Sequence, residues 1–208
     1  MIKLICSDVN GVLEHVDHNY SQSGYFKIKG VELEFSKKID DIFTTYKYLI
    51  KSWMTNEISF KDVNLIISKK LNIDEEYLNK ILIQSIKEYE WNWDLINLYQ
   101  KFRHKGIKVV ITTDNMDIFS KIAVPYNKFD IYFDKIYNSS DIKLLKDENN
   151  YQFFNNILKE HDLDYNEILI IDDNKSTIEN AEKMGYKTYL YNINTCNFFE
   201  EWVNRIIV

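Results

Sequence analysis

Glycine and proline are scarce in this 208-residue chain, which has five of the first and a single proline, Pro125. Collagen-like, linker-rich and low-complexity architectures are thereby excluded. Cysteine is nearly absent as well. Cys6 and Cys196 lie far apart and form no CxxC pair, so they are expected to be reduced and structural. Long apolar runs are missing: the stretch from Ile168 to Ile171 falls far short of the roughly 18 residues of a membrane helix. No apolar run of signal-peptide length precedes Asp8, and the chain reads as soluble and cytoplasmic. Charge of one sign is not concentrated anywhere. With 26 basic and 32 acidic residues the net charge is −6, which argues against nucleic acid or an anionic membrane as principal partner. The four histidines show no zinc-binding spacing.

What is present is a rhythm. Short apolar runs occur at Ile2–Ser7, Lys108–Thr112, Lys135–Tyr137, Ile168–Ile171 and Lys187–Tyr191, with the composition of buried strands. Between most of them lie helical patterns, over about Trp93–Lys105, Asn149–His161 and Lys175–Met184, and Gly106 and Gly185 close two of these. Alternating strand and helix implies an α/β fold, a Rossmann-like, mostly parallel sheet with helices on both faces. The segment from residue 15 to 90 breaks the rhythm. After a polar, aromatic stretch (Asn19 to Gly30) it offers three helical stripes. The first runs from Ile39 to Trp53, the second is opened by Ser59, and the third begins near Asp74. It reads as a helical insertion, so residues 1–14 and 91–208 form the core domain and 15–90 a second, helical one. The apolar C-terminal stretch from Phe198 to Ile207 reads as a last helix covering the sheet.

Four strand ends carry polar residues: Asp8 before Asn10-Gly11, then Thr112-Thr113-Asp114-Asn115, then Ser139-Ser140-Asp141 followed by Lys146, then Asp172-Asp173. Open α/β sheets place ligands beyond the carboxyl ends of their strands. Each signal alone fits a turn or a cap. Their order, Asp, Thr, Lys, Asp-Asp, is far more specific.

That order resembles the haloacid dehalogenase superfamily, over essentially the whole chain. The resemblance implies a phosphatase-like hydrolase in which Asp8 is the nucleophile and an aspartyl-phosphate forms and is hydrolysed. It implies Mg²⁺ held by Asp8, the backbone carbonyl of Asn10 and Asp173, with Asp172 bound directly or through a neighbouring ligand. It further implies a phosphate hydrogen bond from Thr113 or Thr112, charge neutralisation by Lys146, and a small α-helical cap in the insertion. Asp114 and Asn115 fall in the second motif's loop and are expected at the substrate. A small phosphorylated metabolite is the expected partner.

One residue departs from the family pattern. Asn10 stands where family phosphatases usually carry an Asp that acts as general acid and base, a role worth roughly 10²–10⁴-fold in rate. Three explanations are open. The protein is slow or binds phosphate without turnover; it borrows a proton carrier such as His15 or His18; or Asn10 is an engineered, substrate-trapping replacement. Asn10-Gly11 is also a pair prone to deamidation, which would create an Asp. His104 and His161 sit at helix ends, where a cation suits the helix dipole, and Trp91 and Trp93 are expected to pack the junction between insertion and core.

Overall fold

The computed structural model describes residues 1–14, 33–192 and 196–207. His15, His18 and the stretch Asn19–Gly30 lie outside the described residues. Five strands form one sheet: β1 (Leu4–Ser7), β2 (Lys108–Thr113), β3 (Lys135–Asn138), β4 (Ile168–Asp172) and β5 (Lys187–Leu190). Their order is β3-β2-β1-β4-β5, and every pairing is parallel. β1 is central, between β2 and β4. Its burial on both faces explains its unbroken apolar sequence.

Side-chain alternation assigns the two faces. Leu4, Cys6, Val110, Ile168 and Ile170 face one core, completed by Phe153, Phe154 and Ile157 of α9 (Gln152–His161) and Ile178 and Ala181 of α10 (Lys175–Lys183). Ile5, Val109, Ile111, Leu169 and Ile171 face the other, shared with α5 (Trp93–His104) and α11 (Cys196–Ile206). Between α5 and α9, a π-helix (Phe119–Ala123) runs directly into α6 (Val124–Asn127), and two one-turn helices follow, α7 (Phe129–Tyr132) and α8 (Ser139–Ile142).

The insertion supplies α1 (Leu33–Thr45), α2 (Tyr48–Met54), α3 (Phe60–Leu71) and α4 (Glu75–Lys87). The stripe expected to make one helix over Ile39–Trp53 is broken by a turn at Tyr46-Lys47. Breaking the helix there leaves both Phe43 and Trp53 buried, with their rings stacked 6.3 Å apart. α3 begins with a reciprocal cap, Ser59 Oγ accepting from the Asp62 amide while the Asp62 carboxylate accepts from the Ser59 amide. The helix expected from Asn149 starts only at Gln152, because Asn149, Asn150 and Tyr151 are all left-handed, with φ of 50°, 56° and 59°. Chain leaving the core pairs with chain returning to it: Glu14 bridges to Trp91, and the Asn92 amide donates to Leu13 O at 2.8 Å. Trp91 is buried against Phe129, while Trp93 is partly exposed beside Tyr132.

Insertion and core share one apolar cluster, in which Ile39, Phe43, Trp53, Val63 and Leu78 join Val9, Phe119 and Ile171. Across this contact lies a buried carboxylate that the sequence did not announce. Asp117 Oδ1 accepts from Trp53 Nε1 (2.7 Å) and from the Phe60 amide (3.1 Å), and Oδ2 pairs with Lys121 at 2.7 Å. Truncating it strands two buried donors, each costing about 1–3 kcal/mol. Asp117→Ala is therefore expected to lower the unfolding free energy by about 3 kcal/mol in urea denaturation; a loss below about 0.5 kcal/mol, the level of an ordinary surface change, would contradict this account.

Candidate active site

β1 and β4 end side by side, with Ser7 paired to Ile171, so both deliver an aspartate to the same edge. The Asp8 amide donates to Ile171 O at 2.9 Å, continuing the pairing one residue past the strand. Behind it the Tyr99 hydroxyl donates to Ser7 Oγ (3.0 Å), which donates to Asp8 O (3.1 Å). Asp8 is 7% exposed and Asp172 only 1%. Asp172 has both oxygens engaged: Oδ1 accepts from the Asn174 amide at 2.8 Å and Oδ2 from Lys146 Nζ at 2.7 Å. The same ammonium lies 3.1 Å from Asp8 Oδ1.

Lys146 reaches this position from a loop. α8 ends at Lys143 in the left-handed region, and the Lys146 amide donates to Asp114 Oδ1 at 3.0 Å. Its side chain is almost fully buried. Burial opposes the charged ammonium, but the carboxylates of Asp8, Asp172 and Asp114 together outweigh it and hold the proton above the usual lysine range. Burial pushes the Asp8 carboxyl up, and the nearby Asp172 and Asp173 push the same way, while Lys146 and the Val9 amide pull it down.

Asp173 is exposed, and its carboxylate lies against Gly11. Gly11 has φ +73°, and a Cβ there would stand 2.1 Å from Asp173 Oδ2, so both backbone angle and space demand glycine. Oxygens of Asp8, Asp172 and Asp173 come within 4.8 Å of one another. Three carboxylates face one ammonium, an excess of negative charge made of hard oxygen donors. That set suits a divalent cation of the Mg²⁺ type.

A cleft of about 190 Å³ opens here, lined by Asp8, Asp114, Lys146, Asp172 and Asp173 and walled by α10. The sequence reading missed that wall, Asn174, Ser176 and Thr177, together with Asp147 and Tyr151. Their polar side chains looked like ordinary helix-start and loop residues, and Asn174 does cap α10 through Ser176 N and Thr177 N. Thr112 and Thr113 are both buried at the end of β2. Asn115 is turned into its own loop, its Oδ1 accepting from the Met116 amide while its amide donates to Ser139 Oγ. Ser139 Oγ in turn donates to Met54 O at the end of α2, 2.8 Å away. Asn10 is exposed and bridges Glu14 through its backbone. The Gly11 amide, the nitrogen that deamidation of Asn10 requires, is occupied by Glu14 O at 3.1 Å. Away from the cleft, His104 is exposed and the His161 ring meets the Tyr137 hydroxyl at 3.1 Å.

Two outcomes follow from this geometry. Gly11→Ala is expected to displace the Asp173 carboxylate, and Mg²⁺ titrated into the variant in a calorimeter should bind at least about tenfold more weakly, as for other losses of ligand support; unchanged affinity would remove Asp173 from the cation site. The second concerns Asp114, whose carboxyl burial raises to about 6 against the pull of Lys146. The unfolded chain releases that proton near pH 4. The folded protein therefore holds it more tightly, and this stabilisation is full below about pH 4 and lost as pH rises to 6. In metal-free protein, Asp114→Asn should flatten the stability profile between about pH 4 and 6 by about 2 kcal/mol, and a profile parallel to the parent's would show the carboxyl to be unshifted.

Comparison with known proteins agrees with this architecture. The family model for haloacid dehalogenase-like hydrolases matches residues 41–191, a span that begins after Asp8, so the first aspartate is placed by the sheet rather than by the match. No curated protein matches the chain. Among solved structures, a predicted HAD-like family hydrolase from Porphyromonas gingivalis superimposes with TM-score 0.75 at 18% identity, covering 99% of this chain and 98% of its own. A HAD family enzyme from Bacteroides thetaiotaomicron, in complex with magnesium and inorganic phosphate, gives 0.65 at 19%, covering 91% and 93%. The L-2-haloacid dehalogenase from Xanthobacter autotrophicus gives 0.61 at 14%, covering 90% and 76%. Identities this low speak for the fold alone, whereas the family model matches well over half of the sequence: the chain belongs to the haloacid dehalogenase-like hydrolases.

Proposed function

We propose that this protein is a Mg²⁺-dependent hydrolase of small phosphomonoesters that uses Asp8 as nucleophile. The observation that carries the reading is the buried ammonium of Lys146, held 3.1 Å from Asp8 and 2.7 Å from Asp172 at the ends of the two adjoining strands. An ammonium there neutralises negative charge where a phosphate approaches a carboxylate. In the proposed reaction an Asp8 oxygen attacks phosphorus, the ester P–O bond breaks, and the phosphoryl group passes to Asp8. Water then attacks phosphorus and returns the carboxylate. Thr113 or Thr112 donates to a non-reacting phosphate oxygen, and Asp172 keeps Lys146 in place. Asp8, Asp173 and the Asn10 carbonyl would hold Mg²⁺, with Asp172 beside them, and the bound ion would supply charge neutralisation to the phosphate.

Residues 15–90 act as the cap in this proposal. Their proposed task is to exclude water from the reaction and to select the leaving group. His15 and His18 are assigned to substrate contacts. The reading places the protein in the cytoplasm, with neither nucleic acid nor membrane as a partner; among the described residues no helix is long and apolar enough to cross a membrane.

Asn10 favours a second reading, in which the same site binds phosphate and turns over poorly. A carboxamide is too weak an acid to protonate the leaving oxygen. Dehalogenation also uses an aspartate nucleophile, and a solved neighbour bears that name, but the acidic trio at the strand ends favours cation-assisted phosphate chemistry. With Mg²⁺ and an aryl phosphate, the chain should release inorganic phosphate, lose that activity to EDTA and regain it on adding Mg²⁺. Asp8→Asn should lower the rate by about 10³-fold or more, in the manner of other lost nucleophiles. Release unaffected by Asp8→Asn would overturn the proposal, and release confined to an Asn10→Asp variant would establish the impaired reading.

A further inference from the structure

Asn10 raises a question of proton supply, and the sheet register bears on it. Ser7 pairs with Ile111 across β1 and β2. Asp8 follows the last residue of β1 and Asp114 the last residue of β2, so both leave the same edge of the sheet. The first carboxyl beyond the end of β2 therefore follows the strand beside the one that delivers the nucleophile. Asp8 and Asp114 line the same cleft. Asp114 Oδ1 is anchored by the Lys146 amide at 3.0 Å, which fixes the carboxyl on the loop that also carries the ammonium. Its other oxygen makes no hydrogen bond or ion pair among the described residues.

We propose that Asp114 is the proton carrier of this site, doing from the loop after β2 what an aspartate at position 10 would do from the loop after β1. The inference rests on the phosphatase reading above. When the Asp8 oxygen bonds to phosphorus and the ester P–O bond breaks, the Asp114 carboxyl gives its proton to the leaving oxygen, which departs as an alcohol. When water attacks the aspartyl-phosphate, the Asp114 carboxylate takes a proton from that water, and inorganic phosphate leaves as Asp8 is restored. Charged groups facing Asp114 are Lys146, which lowers its proton affinity, and Asp147 and Asp172, which raise it. With burial the balance lies near 6, where a carboxyl can both give and take a proton close to neutral pH.

The test uses two substrates and three variants of the full chain, all with Mg²⁺. An alkyl phosphate needs a proton on its leaving oxygen, whereas a nitrophenyl phosphate does not. Asp114→Asn keeps an oxygen for the Lys146 amide and removes only the exchangeable proton. It should reduce kcat/KM for the alkyl phosphate by about 10²-fold or more and for the nitrophenyl phosphate by much less. Adding Asn10→Asp to Asp114→Asn should restore alkyl phosphate turnover, since a carboxyl returns to the loop after β1. An equal fall on both substrates, no fall on either, or absence of rescue would overturn the assignment. Turnover by the Asn10→Asp single variant but not by the parent would overturn it too, and would establish the impaired reading of the site. Inactivity of parent and Asn10→Asp alike, in proteins with native circular dichroism, would instead bring down the phosphatase reading itself and the inference with it.

Discussion

One buried cation organises the functional edge of this molecule. Bringing Asp8 and Asp172 together at the ends of adjacent strands, both almost fully removed from water, is electrostatically unfavourable unless something opposite in charge lies between them. Lys146 fills that role at 3.1 Å and 2.7 Å. Its position depends on much of the surrounding chain. The left-handed Lys143 ends α8, Asp114 accepts the Lys146 amide, and Asn174 takes the other oxygen of Asp172. Strand order, loop conformation and helix capping thus converge on a single ion triad. The third carboxylate, Asp173, is excess to that triad and remains exposed.

The fold was legible because its signals are periodic. Five short apolar runs became five parallel strands within a residue or two at either end, since strands buried on both faces must be apolar throughout. Gly106 and Gly185 marked the ends of α5 and α10 for a local reason, the left-handed backbone that follows each helix. The order of polar residues at strand ends was legible too, because a parallel sheet collects all its carboxyl ends on one edge. Asp8, Lys146, Asp172 and Asp173 do meet there.

What escaped the sequence depends on contacts between distant residues. The break between α1 and α2 is decided by where Phe43 and Trp53 can both be buried, and the helical stripe continues across it regardless. Asp117 receives Trp53 Nε1 from 64 positions away. Nothing local marks such a residue. The late start of α9 has a different origin: Asn149 and Asn150 tolerate the left-handed region, but Tyr151 in that conformation is a local exception that tertiary packing must hold. Asn115 shows the limit of motif reading, since a residue expected at the substrate spends its side chain on its own loop.

The apolar cluster that runs from Ile39 and Trp53 through Phe119 to Ile171 has a consequence for how the chain acquires its structure. An insertion with a core of its own could fold and melt separately from its host. Here one face of the sheet and the helices between residues 33 and 87 complete the same interior, so neither completes it alone. Formation of the sheet and docking of the insertion become one cooperative event, even though the nucleophile strand and its partner β2 are separated in sequence by the whole of that insertion. Residues far from any substrate are thus what close the long connection between β1 and β2 and bring Asp8 beside the strand it needs.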